Sequence, residues 1–231
     1  MSSYRELVFM VLDQLKISSD DSYFDVPHIV WLINKYRALL IQRSYNEQRK
    51  VIPEHIYQTV CLEMEPDESC IKEGINIISI HKVPDLLTLN DGIRVHIHPI
   101  ASPFDYPEWT YILPERYPFT GHNKYLKKIV YFTILGGYLY AKSFDSSFQY
   151  IKQVQLIGLF NNPTEVNKKE YLCNGTVECD PLDLPVYLEE YLIPPLLEMI
   201  IKDLIPQVYR PEDKTNTASD LTPEMAQNVR K

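Results

Sequence analysis

Leu196-Leu197-Glu198-Met199-Ile200-Ile201-Lys202-Asp203-Leu204-Ile205 sets apolar residues at 196, 197, 200, 201, 204 and 205, the spacing of one helix face. It answers a second helical stretch at the other end of the chain, and the two bracket a middle that reads as β. The helix is expected over 183–210. Pro194-Pro195 should kink or restart it, because each proline lacks a donor and crowds the preceding turn. After it the chain turns polar through Arg210-Pro211-Glu212-Asp213-Lys214-Thr215-Asn216-Thr217-Ala218-Ser219-Asp220, so 211–231 is expected to be a flexible C-terminal arm.

At the opposite end, Ser3 and Glu6 have capping-box spacing, and Tyr4, Leu7, Val8, Val11, Leu12 and Leu15 fall on one face. Ser18-Ser19-Asp20-Asp21-Ser22 reads as a loop. A second helix follows Asp25, with Pro27 in its first turn and Ile29, Leu32, Ile33, Tyr36, Leu39 and Leu40 as its apolar stripe. Two amphipathic helices joined by a short polar loop predict an antiparallel hairpin over 1–52.

From Ile56 the period becomes two, predicting strands at 56–64, 75–80 and 93–97 within a β-rich region, 53–165. Residues 99–120 hold five prolines among aromatics and read as a long loop with one short strand near 109–112. Gly136-Gly137 between two apolar runs predicts a tight hairpin, and 148–160 a third strand of a meander. The expected fold is therefore α+β: a single domain over 1–210, with the helical hairpin packed on the C-terminal helix and a small antiparallel β insertion between them.

Composition narrows the function. The chain has 231 residues, 45% of them hydrophobic, enough for a sizeable core. No apolar run reaches the ~20 residues that span a bilayer, and the start of the chain does not read as a signal peptide. A net charge of −8 disfavours wrapping DNA, though it suits a wall that DNA slides past. The four cysteines, Cys61, Cys70, Cys173 and Cys179, are too scattered for a disulfide scaffold and are expected to be reduced thiols.

Signatures of catalysis are missing: no phosphate loop, dinucleotide glycine pattern, zincin helix or nucleophile elbow. We therefore expect no catalytic residues, no enzyme activity, no metal and no cofactor. His96 and His98 alternate onto one strand face, where a metal would need further ligands that the sequence does not supply nearby. Aromatics from Phe104 to Phe132, with Arg116, Lys124, Lys127 and Lys128, form the strongest candidate for nucleic-acid or subunit contact. Packing among the aromatics themselves is the plainer reading.

Ser2-Ser3-Tyr4-Arg5-Glu6-Leu7-Val8, Trp31-Leu32-Ile33-Asn34-Lys35-Tyr36-Arg37-Ala38, Gly121-His122-Asn123-Lys124-Tyr125-Leu126 and Val208-Tyr209-Arg210-Pro211-Glu212-Asp213-Lys214 together resemble a virion protein of crAss-like bacteriophages. The layout is also similar to the head-to-tail adaptor proteins of short-tailed phages. That resemblance implies a neck ring, usually of twelve copies, which docks on the portal, joins capsid to tail or to the next ring, and surrounds passing viral DNA without binding it specifically. It implies an arm, with Tyr209, Arg210, Pro211, Glu212, Asp213 and Lys214 at its start, that orders along a partner. It implies a virion protein made in the host cytoplasm, with no membrane partner.

Overall fold

A computed structural model describes residues 2–18, 24–48, 52–67, 74–90, 92–100, 109–120, 129–173 and 180–208. Its largest unit is a seven-stranded sheet. The strands are β1 (Gln58–Pro66), β2 (Ile75–Ser79), β5 (Val95–Pro99), β6 (Trp109–Tyr111), β7 (Val130–Leu135), β8 (Tyr138–Ser143) and β9 (Gln153–Gly158). They run in the order β5-β9-β1-β2-β8-β7-β6, and the edge strands β5 and β6 approach each other, so the sheet nearly closes into a barrel. A two-stranded ribbon of β3 (Thr88–Leu89) and β4 (Gly92–Ile93) stands beside it.

This overturns the expected helical body with a small β insertion. The size of the sheet was hidden because its pairings join distant parts of the chain. β1 pairs along its first six residues with β9 (Gln58↔Gly158 to Glu63↔Gln153) and along its last three with β2 (Met64↔Ser79 to Pro66↔Ile77). β9 is therefore not the third strand of a meander: it lies between β5 and β1, away from β8. A 3-10 turn over Ser146–Tyr150, capped by the Asp145 carboxylate accepting from Ser147 N–H at 3.0 Å, makes the detour. Nor is the sheet wholly antiparallel, since β6 and β7 run parallel, Trp109↔Val130. The glycine hairpin is as expected: Gly136 and Gly137 take φ of 62° and 86° between β7 and β8, a turn that side chains with a Cβ disfavour.

Three helices complete the described residues: α1 (Tyr4–Ser18), α2 (Val26–Gln48) and α3 (Ile193–Val208). α1 and α2 do not form a self-contained hairpin; each packs more extensively on α3 than on the other. α3 begins at Ile193, ten residues later than expected. Two 3-10 turns, Pro181–Asp183 and Glu190–Leu192, precede it. Pro194 and Pro195 thereby fall in its first turn, where a missing N–H breaks no helical bond, so they start the helix instead of kinking it.

The core has two parts. Tyr4, Leu7, Val11, Ile29, Ile33, Ile41, Leu196, Ile200 and Leu204 centre the helical part. Val60, Leu62, Ile77, Phe132, Leu139, Phe148, Val154 and Leu156 centre the sheet part. A short bridge forms the seam. Leu86 opposes Phe160, and Leu87 N–H donates to Leu159 O at 2.8 Å. Alternate residues of an extended chain point to opposite sides. Leu87 and Leu159 accordingly join the helical core, while Leu86 and Phe160 join the sheet core.

Cys61 on β1 is bonded to Cys173, with 5.1 Å between their Cα atoms. The expectation of reduced thiols fails for this pair. A disulfide needs Cα atoms within about 7 Å, a condition set by the fold and invisible in a sequence separation of 112. The bond ends a segment in which Val166 and Tyr171 are buried against the sheet and the Tyr171 hydroxyl donates to Lys82 O at 2.8 Å. Cys70 and Cys179 lie outside the described residues.

Candidate assembly interface

The helical layer is fixed before it offers anything to a partner. Ser3 N–H donates to the Glu6 carboxylate at 3.2 Å, and Glu6 N–H donates to Ser3 Oγ at 3.3 Å, the reciprocal pair foreseen from the sequence. Tyr4 N–H donates to Leu184 O and Val186 N–H to Ser2 O, stitching the start of α1 to the approach to α3. Arg5 adds salt bridges to Asp180 at 2.6 Å and Asp183 at 2.7 Å. The hydrogen bond from Arg5 holds the Asp183 carboxyl below the usual carboxylate range.

A buried cation then ties this layer to the sheet. Arg37 is fully buried; its Nε donates to Tyr187 O at 2.8 Å and one terminal nitrogen to Phe160 O at 2.9 Å. Burial lowers its pKa to about 10. The Tyr4 hydroxyl donates to Asn34 Oδ1 at 2.5 Å, and Asn34 Nδ2 donates to Asn162 Oδ1 at 2.9 Å. Further along α2, Gln42 Nε2 donates to Thr88 O at 3.0 Å. Sequence reading missed Arg37 as a structural residue, because a lone arginine near the middle of a helix looks solvated until a tertiary partner encloses it.

The outward faces of α1 and α2 are less conventional. Opposite the buried stripe of α1, Phe9 keeps 57% and Met10 45% of its surface exposed, between Glu6 and Asp13. On α2, Trp31 is 56% and Leu39 46% exposed, on the face that also carries His28, Lys35 and Arg43. His28 stacks on Trp31 with ring centroids 5.9 Å apart, and Lys35 Nζ lies 5.3 Å from the Trp31 ring. Lys35 also reaches Asp203 of α3 at 3.8 Å. The Tyr36 hydroxyl donates to the same Asp203 carboxylate, and this bond pushes the Tyr36 pKa up to about 12. Leu39, read from the sequence as part of the buried stripe, is one of the exposed residues. The helix is apolar over a wider arc than its core contact needs, and only packing decides which part of the arc is covered.

Of the sequence-based contact candidates, Arg116 lies among the described residues. Arg116 is exposed and borders a recess of about 260 Å³ with Tyr111, Ile112, Leu113 and Thr120. Lys124, Lys127 and Lys128 lie outside the described residues, as do Tyr209, Arg210, Pro211, Glu212, Asp213 and Lys214. Of the aromatic group, Trp109 and Tyr111 pack against Phe132, with centroids 6.4 and 5.6 Å apart, and Trp109 also meets Phe148. These rings are engaged with one another. His96 and His98 are exposed on β5. Among the described residues no three His, Cys, Asp or Glu side chains come together as a metal site, and no helix is long and apolar enough to cross a membrane.

A molecule with large apolar side chains on the outer faces of anchored helices is suited to assembly, and the comparisons point the same way. Residues 6–225 match the family described as phage tail ring protein 2. The chain is 36% identical, over 96% of its own length and 99% of the relative's, to "Ring protein 2" of Bacteroides phage crAss001. The chain therefore belongs to the phage tail ring protein 2 family of crAss-like phages, a family of viral structural ring proteins.

Proposed function

We propose that this protein is the repeating subunit of a ring in the neck of the particle, docked on the portal side and joining the capsid to the tail or to a further ring. The observation that carries this reading is the helical layer, whose inner faces are pinned by Arg37, Arg5 and the capping box while its outer faces expose Phe9, Met10, Trp31 and Leu39. Large apolar side chains left on anchored helices favour burial against a neighbour. A ring closes through two unlike surfaces repeated by rotation, and the layer offers more than one such surface. Twelve copies would match the portal-docked rings that the chain resembles.

The ends of the strands supply a second set of exposed apolar residues. Ile80 follows β2, Leu113 follows β6 and Leu135 ends β7, while Phe119 is 78% exposed on a nearby turn. These residues suit contact along the ring axis, toward the portal, the tail or the next ring. The acidic balance of the chain, −8, favours a channel wall that phosphates pass without sticking.

Residues 211–231 are the proposed latch, with Tyr209 to Lys214 at its base. A polar segment that folds on binding can cover a large partner surface. Removal of 211–231 is expected to leave the melting temperature of the purified protein within a few degrees of the full chain and to abolish rings in assembled particles. Particles carrying normal rings of the shortened chain would contradict the latch.

A further inference from the structure

We infer that neighbouring copies in the ring meet through the outer face of α1 on one subunit and the outer face of α2 on the next. This rests on the ring reading above and specifies its lateral contact.

The two faces carry matched and opposite patterns. Glu6 and Asp13 are seven residues apart on α1, about 10.5 Å along the axis, with Phe9 and Met10 between them. Lys35 and Arg43 are eight residues apart on α2, about 12 Å, with Leu39 between them and Trp31 one turn before. One face therefore reads acid, apolar, acid, and the other base, apolar, base. α2 has no Asp or Glu from Val26 to Asn46, so no carboxylate of its own interrupts the basic row. Asp203 of α3 sits beside Lys35 and Tyr36.

Position favours a contact between copies. Both faces lie opposite stripes buried in one shared core, so they diverge around the helical layer and cannot meet within one chain. Two unlike, complementary, diverging faces on one rigid unit are what a head-to-tail ring requires, since every subunit must present both. Apolar side chains at the centre with opposite charges around them also follow the usual anatomy of a stable interface.

Residues 209–231 are the rival occupant. α3 runs antiparallel to α2, because Tyr191 near its start contacts Ser44 and Asp203 near its end contacts Lys35. The chain thus leaves α3 toward the end of α2 that carries Trp31. The rival is disfavoured by the acid, apolar, acid pattern on α1, which it leaves unused.

A charge exchange separates these cases. Particles are assembled with Asp13→Lys, with Lys35→Glu, or with both substitutions in one chain, and ring-bearing particles are counted by electron microscopy. Both sites lie at the surface, Lys35 in its salt bridge with Asp203, and a melt of each purified variant confirms folding. Each single exchange sets like charges face to face and is expected to reduce ring-bearing particles by about tenfold, while the double exchange restores them to within about threefold of the native count. Single variants that assemble like the native chain would overturn the proposal. So would a double variant that stays as defective as the worse single one, the result expected if residues 209–231 cover α2. If the native protein forms no ring in the particle, the ring reading itself fails and this contact fails with it. If it forms rings and the exchange pattern is wrong, only the contact falls.

Discussion

The helical and sheet halves of this molecule treat their apolar surface differently. The sheet half nearly closes on itself: its edge strands approach, its aromatic rings pack on one another, and its exposed apolar residues sit at turns and strand ends. The helical half stays open. Its three helices share a core, yet α1 and α2 carry Phe9, Met10, Trp31 and Leu39 on faces that turn away from it. A half that covers its own apolar surface is thus locked to a half that does not. The lock is specific. Adjacent residues Leu159 and Phe160 enter different cores, and Arg37 joins α2 to the carbonyl of Phe160.

The sharpest way to break this comparison is to unsettle one half at a time. Phe132→Ala in the sheet core and Ile200→Ala in the helical core each remove a fully buried side chain, at a cost of about 4 kcal/mol. If the seam couples the halves, each substitution lowers the same single thermal transition, followed equally by far-UV circular dichroism and tryptophan fluorescence. Two separated transitions, only one of them moved, would show that the halves melt independently.

Reduction probes the sheet half more gently. The Cys61–Cys173 bond closes a loop over a sequence separation of 112, and its loss is expected to cost about 3 kcal/mol, a fall in melting temperature of about 9 °C for a chain of this size. Differential scanning calorimetry with and without a reductant measures it. The helical faces should be unaffected, because neither cysteine lies on them. An unchanged melting temperature on reduction would mean that the segment ending at Cys173 is held by Val166 and Tyr171 alone.

What was legible in the sequence follows the range of the interactions. The α1 capping box, the start of α2 and the glycine hairpin are set within four or five residues, and all three stand where the residues place them. The size and order of the sheet were hidden because β1 finds partners in β9 and β2, and no local signal encodes the pairing Gln58↔Gly158. Pro194-Pro195 left two readings open for a related reason: the same two prolines kink a helix from inside or begin one, and the 3-10 turn over Glu190–Leu192 decides for the second. The disulfide, the buried Arg37 and the exposed Leu39 are all settled by tertiary packing. The family resemblance, carried by stretches near both ends and by Gly121-His122-Asn123-Lys124-Tyr125-Leu126, is legible all the same, because likeness in sequence does not depend on the order of the strands.

The open face of the helical half can be tested on the particle itself. Hydroxyl-radical footprinting compares the purified subunit with the assembled particle, using Met10 and Trp31 as reactive reporters on the helices and Phe119 on the sheet half. Met10 and Trp31 are expected to be oxidised readily in the free subunit and to lose most of that reactivity on assembly, whether or not Phe119 changes. Met10 and Trp31 remaining as reactive in the ring as in solution would contradict it.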